Sequence, residues 1–261
     1  MIRPAVNLPH HPARIVDIHT HLGPFRNFHI PRNDESGVVA AMDALGIDVI
    51  VTSAHAAISA DLRYGNNLVA DAVRRNPGRI LGYCVANPNY AREMEAELTR
   101  CLALTGFVGV KVHPELHGDH ALDAAEYRPM WELAQERSLP VLAHTFFGGD
   151  GLEVFARLAD AYPRAQILLG HAGQDFPAAR VVELVRSHTN VWLDLSGLLS
   201  TEGAIEALVA EAPLDRILFG SDLPFMSGAL QLGTLLYAQL TPEELDMIAY
   251  RNAETLLGLD A

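Results

Sequence analysis

The chain has 261 residues, 49% of them hydrophobic and 20% charged, a composition that describes a folded protein with a sizeable core and excludes a disordered one. Its formal net charge of −13 argues against a nucleic-acid partner, because backbone phosphates need basic surface. No apolar run approaches the roughly 18 residues that span a bilayer, and the stretch from Met1 to Arg14 lacks the apolar segment of a signal peptide, so a soluble cytoplasmic protein is expected.

From the N-terminus onward, short β-branched apolar runs alternate with longer segments of helical period. The strand candidates are Arg14–His19, Ile47–Ser53, Arg79–Asn87, Phe107–His113, Pro140–His144, Gln166–His171, Val191–Ser196 and Arg216–Ser221. Continuous apolar runs of this length suit parallel strands covered on both faces. Helical patterns fall between them at Glu35–Leu45, Leu62–Arg75, Arg92–Leu104, Ala124–Arg137, Leu152–Tyr162, Ala178–His188 and Gly203–Ala210. Ala229–Leu240 and Pro242–Leu257 follow the last strand as closing helices. Eight such units predict an α/β fold, a right-handed (β/α)8 TIM barrel occupying 1–261 as a single domain. A doubly wound nucleotide-binding sheet expects a glycine-rich turn after the first strand. Here that strand runs into His-Thr-His-Leu-Gly-Pro, which weakens the alternative. The segment FFGGDG at Phe146–Gly151 reads as a flexible loop able to cover the mouth of the barrel.

In a barrel, the loops after the C-terminal ends of the strands build the active site. Strand one ends Asp17-Ile18-His19-Thr20-His21, and residues i and i+2 of an extended chain face the same side, so both imidazoles can meet one ion. Strand two leads into His55, strand four ends Lys111-Val112-His113, strand five in His144, strand six in His171 and strand eight in Gly220-Ser221-Asp222. Taken singly, a histidine closing a strand is more often a hydrogen-bonded rim residue, and Asp222 could cap the next helix. Their joint placement at strand ends favours a site. Imidazoles with one carboxylate suit zinc, and also iron, manganese or nickel. The pair Cys84 and Cys101 lacks metal-ligand spacing and reads as small buried hydrophobes. Of nineteen basic residues only Lys111 is lysine, which suggests a position where arginine will not serve.

The motifs VDIHTHLG, GVKVHPE, VLAHTFFGG, ILLGHAG and ILFGSDLPF, with RNAETLLGL near the end, resemble the amidohydrolase superfamily over Arg14 to Leu259. The nearest branch is the amidohydrolase-related (amidohydrolase 2) group of metal-dependent hydrolases and decarboxylases. The resemblance implies that His19, His21, His144 and Asp222 ligate a divalent metal. It also implies that His171 orients or deprotonates water or polarises the substrate, with Asp222 as a second candidate for moving the proton. Lys111 could be carboxylated and bridge two ions. The expectation is instead one zinc ion per chain, with Lys111 as an ammonium and His113 beside it contacting the substrate.

The leading functional expectation is hydrolysis of an amide, ester or lactone of a small carboxylated compound by metal-activated water. Non-oxidative decarboxylation on the same metal site is the alternative, and a non-catalytic metal- or ligand-binding barrel the third. The chain lacks the long insertions that shape aromatic pockets, and only Phe25, Phe28, Phe146, Phe147 and Phe225 are placed to line one, which tilts the reading towards hydrolysis. The partner is a small molecule, and homo-oligomerisation is left open.

Overall fold

The computed structural model describes residues 10–118, 120–145, 151–197 and 201–259. Its eight strands are β1 (Val16–Leu22), β2 (Val49–Ala54), β3 (Ile80–Val85), β4 (Phe107–Val112), β5 (Pro140–Ala143), β6 (Gln166–Leu169), β7 (Val191–Asp194) and β8 (Ile217–Leu218). They pair in sequence order, every neighbour parallel. The sheet closes on itself where Ile18 N donates to Phe219 O, Asp222 N to His19 O and His21 N to Leu223 O. This is the (β/α)8 barrel that the alternation of segments predicts.

Around it lie α1 (Glu35–Leu45), α2 (His55–Ser59), α3 (Leu62–Arg75), α4 (Ala91–Cys101), α5 (Arg128–Arg137), α6 (Leu152–Ala161), α7 (Ala178–Ser187), α8 (Ala204–Glu211) and α9 (Gly228–Leu236). Asp34 and Asp61 start α1 and α3 by accepting from the backbone N–H three residues on. Gly46 ends α1 in the left-handed region. The closing segment expected as one helix is α10 (Pro242–Asp246) and α11 (Asn252–Leu257), joined through a π-helical turn at Met247–Arg251. At its end Asn252 Nδ2 donates to Leu214 O and Ile217 O, tying it to the short eighth strand.

Two main apolar layers result, beside a small third cluster of Ala57, Ile58, Leu62 and Val85. The larger fills the space between strands and helices and includes Cys84 and Cys101, both fully buried and unpaired with each other by any disulfide. The other draws Val16, Ile18, Val51, Tyr83, Leu142, Leu168, Trp192 and Leu218 from the strands, plus Ala253 of α11. A cluster fed by most strands and by no surrounding helix except α11 is the barrel interior, plugged at the N-terminal end. Inside the barrel, the buried histidines, Lys111, Asp194 and Asp222 lie beyond this apolar layer, towards the opposite end. No described helix is long and apolar enough to cross a membrane.

Candidate metal centre and pocket

All seven residues of β1 are buried, and its register against β2 shifts between Asp17 and Thr20. Such irregularities re-aim side chains beside active sites. His21 Nε2 comes 3.1 Å from Asp222 Oδ1 and His19 Nε2 3.8 Å from the same oxygen. One donor atom from each of His19, His21 and Asp222 lies within 4.8 Å of the others, and all three residues are buried. The far side of each ring is committed elsewhere. His19 Nδ1 donates to Asp194 Oδ2 at 2.6 Å, and His21 Nδ1 sits 3.0 Å from Ser53 Oγ. Both rings therefore turn their Nε2 inward, as a histidine ligand does when a second partner fixes its tautomer. Two imidazoles and a carboxylate so arranged fit a divalent cation.

The other expected site residues stand around this group. His171 occupies the left-handed region at φ 58°, with Nδ1 3.1 Å from Ser196 O and Nε2 3.2 Å from His144 Nδ1. His144 is thus brought to His171 and to His113, on whose ring it stacks at 3.7 Å and 14°, and not into the triad of His19, His21 and Asp222. A second group, His113, Glu115 and His144, also has donors within 4.8 Å of one another. Lone pairs lie in the ring plane, so two stacked rings send theirs out side by side and do not converge on one ion. Lys111 is fully buried beneath the site, its Nζ 3.0 Å from His19 Nε2. Burial lowers its ammonium to about 8, with Asp222 and Asp194 opposing the shift. Lys111 faces the metal triad, whereas His113 faces the pocket.

Sequence reasoning named no residue at the end of strand seven, yet Asp194 ties the site together. Its carboxylate accepts from His19 Nδ1, from Ser196 N and Oγ at 2.9 and 2.6 Å, and from His171 N at 3.3 Å. The available signal was Asp194-Leu195-Ser196, the same i, i+2 spacing at a strand end that made His19 and His21 stand out. Two glycines make room for it. A Cβ on Gly220 would lie 2.0 Å from Asp194 Oδ1, and one on Gly197, at φ 62°, would lie 2.7 Å from His171 Nδ1. Asp17 plays the matching part for β8, accepting from Ser221 N and Oγ and from His19 N.

The triad opens into a cavity of about 430 Å³ whose wall includes Phe25, Arg26, Phe28, His113, Glu115, His144, His171, Asp222 and Phe225. Phe25 stacks on Phe28 at 5.8 Å, and Phe225 meets both edge-on at 5.7 and 5.1 Å. Three of the five phenylalanines expected to be placed for an aromatic site therefore meet at its mouth. Phe146 and Phe147, and the loop expected to cover the mouth, lie outside the described residues apart from Gly151.

Burial shifts the protonation of the groups crowded at this end of the barrel. Desolvation holds His19, His21, His113 and His144 well below the ordinary imidazole range, His55 at about 3 and His117 at about 4. It also raises three carboxyls, Asp17 to about 7 and Asp194 and Asp222 in the same direction. As pH falls below 6.5, the six imidazoles take up protons in the unfolded chain before the folded one, which costs stability. The three carboxyls take up protons first in the folded chain, which partly offsets it. The imidazoles outnumber the carboxyls, and each unmatched proton steepens the loss by about 1.4 kcal/mol per pH unit. Metal-free protein is therefore expected to show a melting temperature that falls between pH 7 and 5. A flat profile over that range would refute a neutral imidazole cluster.

The family model described as amidohydrolase matches residues 16–259. The chain belongs to the amidohydrolase family. Among curated relatives of this amidohydrolase-family chain, a gamma-resorcylate decarboxylase of Polaromonas sp. is 26% identical, covering 87% of this chain and 85% of its own. The decarboxylase orsB of Emericella nidulans is also 26% identical, over 75% of each. Among solved structures, a dihydroxybenzoic acid decarboxylase of Polaromonas sp., with bound manganese and the inhibitor 2-nitroresorcinol, superposes with a TM-score of 0.70 at 22% identity, covering 95% and 98% of the two chains. These relatives overturn the expectation of a hydrolase: they are named decarboxylases, the reaction that the sequence reading placed second. The physical reason is that both reactions use the same ligands, so the motifs alone could not order them. A divalent metal agrees with the triad and with that neighbour. Zinc in particular does not follow, since the ion in that neighbour is manganese.

Proposed function

We propose that this amidohydrolase-family chain is a metal-dependent, non-oxidative decarboxylase of a hydroxylated aromatic carboxylate. The observation that carries the reading is the pocket, in which three phenylalanine rings close the mouth above imidazoles, Asp222 and the triad. A flat aromatic acid matches such a wall, its ring against the apolar faces and its carboxylate towards the cation. The curated decarboxylases support the same chemistry.

The reaction converts an aryl carboxylate and a proton into the arene and CO2. The proton adds to the ring carbon that bears the carboxylate, and the electron pair of the breaking bond to CO2 then restores the ring. The ion supplies a Lewis-acidic anchor for the carboxylate. His19, His21 and Asp222 are the residues we assign to hold it, with His144 close by. Asp222 also lines the pocket, so its carboxylate stands within reach of the substrate's ring and is the group we assign to pass the proton to the ring carbon. His171, fixed by the Ser196 carbonyl, orients the departing group. Lys111 balances charge beneath His19, and His113 offers the ring a flat wall in its stack with His144. Zinc and manganese both accept this donor set.

Protein loaded with manganese or with zinc should release one CO2 for each molecule of a 2-hydroxy- or 2,6-dihydroxybenzoate consumed, with the matching phenol as product. Elemental analysis of protein as purified identifies the resident ion and its ratio per chain. Fully loaded protein that releases no CO2 from any hydroxybenzoate in such a panel would overturn the assignment.

A further inference from the structure

His55 belongs to none of the groups assigned so far, yet it is almost fully buried beside them. It opens α2 directly after β2. Its ring is held on both faces, stacked on His21 at 4.4 Å and 26° and on Phe25 at 4.8 Å and 27°, with Phe225 edge-on at 6.1 Å. Its Nδ1 donates to Gly23 O at 2.9 Å. A carbonyl only accepts, so the Nδ1 carries the proton, and in the neutral ring Nε2 is an acceptor only. Among the described residues Nε2 has no hydrogen-bond partner. The ring borders a small cavity of about 40 Å³, which also touches His21, His113, His144 and Asp222 and shares most of these walls with the large pocket.

This is a fixed acceptor, with its orientation locked, facing the space next to the metal triad. A structural histidine would satisfy both nitrogens within the protein, as His117 does with Tyr127 Oη at 2.7 Å and Ile58 O at 3.1 Å. Resting on the decarboxylase reading above, we infer that His55 is a specificity-determining residue whose Nε2 accepts a hydrogen bond from a substrate hydroxyl adjacent to the departing carboxylate. The stack on His21 fixes the distance. A group reached by Nε2 is next to whatever His21 and Asp222 hold, so it is the ring substituent neighbouring the carboxylate and not a distant one. Acids bearing an ether or a halogen there have no proton to offer and leave the nitrogen unpaired.

The test measures binding of 2-hydroxybenzoate and 2-methoxybenzoate to the metal-loaded protein by calorimetry, in the native chain and in His55→Phe. Phenylalanine keeps the stack and removes the acceptor. The native protein should prefer the hydroxy acid by about tenfold to a hundredfold, the range expected when a buried acceptor loses its only donor. In His55→Phe the preference should collapse to within about twofold, with 2-methoxybenzoate bound as before, because the double difference isolates the pair. A preference that survives in His55→Phe overturns the inference and leaves the decarboxylase reading intact. Loss of CO2 release and of binding for both acids in the native protein overturns that reading and this inference with it. Should the phenylalanine variant fail to hold metal, His55→Leu also removes the acceptor and is put through the same comparison. There too, retention of the full native preference counts against the role.

Discussion

The double variant His19→Ala/His21→Ala is expected to lose its metal and its activity to background while keeping the barrel. Both side chains point their Nε2 atoms at Asp222 and leave the sheet's hydrogen bonds to the backbone, so their removal deletes donors without unpairing a strand. Asp222 alone presents one carboxylate, which cannot replace two imidazoles for a transition ion. Some stability should go with them, because Asp194 and Ser53 lose the ring nitrogens they now hold. Elemental analysis is the direct measurement, with far-ultraviolet circular dichroism to check the fold. Stoichiometric metal in the double variant would show that the ion sits elsewhere.

His171→Asn should keep the metal and lower turnover by about 10²-fold or more, the scale of loss when a group that positions the reacting centre is removed. The backbone is prepared for the change. His171 lies at φ 58°, and asparagine tolerates the left-handed region better than other non-glycine residues. What disappears is the imidazole that links Ser196 O to His144 Nδ1, and with it the polar group that the proposed mechanism sets beside the departing carboxylate. Stopped assays with metal content measured on the same samples separate the two effects. A variant that loses its ion in proportion to its activity would make His171 a ligand.

The architecture was legible because it rests on local patterns. Glu35–Leu45 and Leu62–Arg75 are helical from end to end, and each apolar run became a strand. The ends moved where backbone departs from regular geometry near the site. Strand six stops at Leu169 because Gly170–Gly173 turns through left-handed conformations, and strand eight shortens to two residues as Gly220 presses against Asp194. Histidines at strand ends announced the triad, since their type and spacing are visible without a fold. The sharing of roles was not visible. His144 looks like His19 in sequence, yet it stacks on His113 and meets His171, whereas His19 is held by Asp194 and Lys111. Asp194 hid because an aspartate closing a strand has many ordinary uses. The preference for hydrolysis failed for a related reason: the phenylalanines were counted in the sequence, but Phe225 is remote from Phe25 and Phe28, and the three meet as a wall only once β1 and β8 are neighbours.

That neighbourhood has a thermodynamic consequence. The last strand is the barrel's shortest, and the first and last strands meet through a few backbone bonds, among them Asp222 N to His19 O and His21 N to Leu223 O. The three donors of the triad straddle this seam, two on one side and one on the other. An ion gripped across it acts as a clasp, and by linkage its binding energy becomes closing energy for the barrel. Amide exchange at the two terminal strands is then the place where metal loading should be felt first, well before any change in the strands opposite.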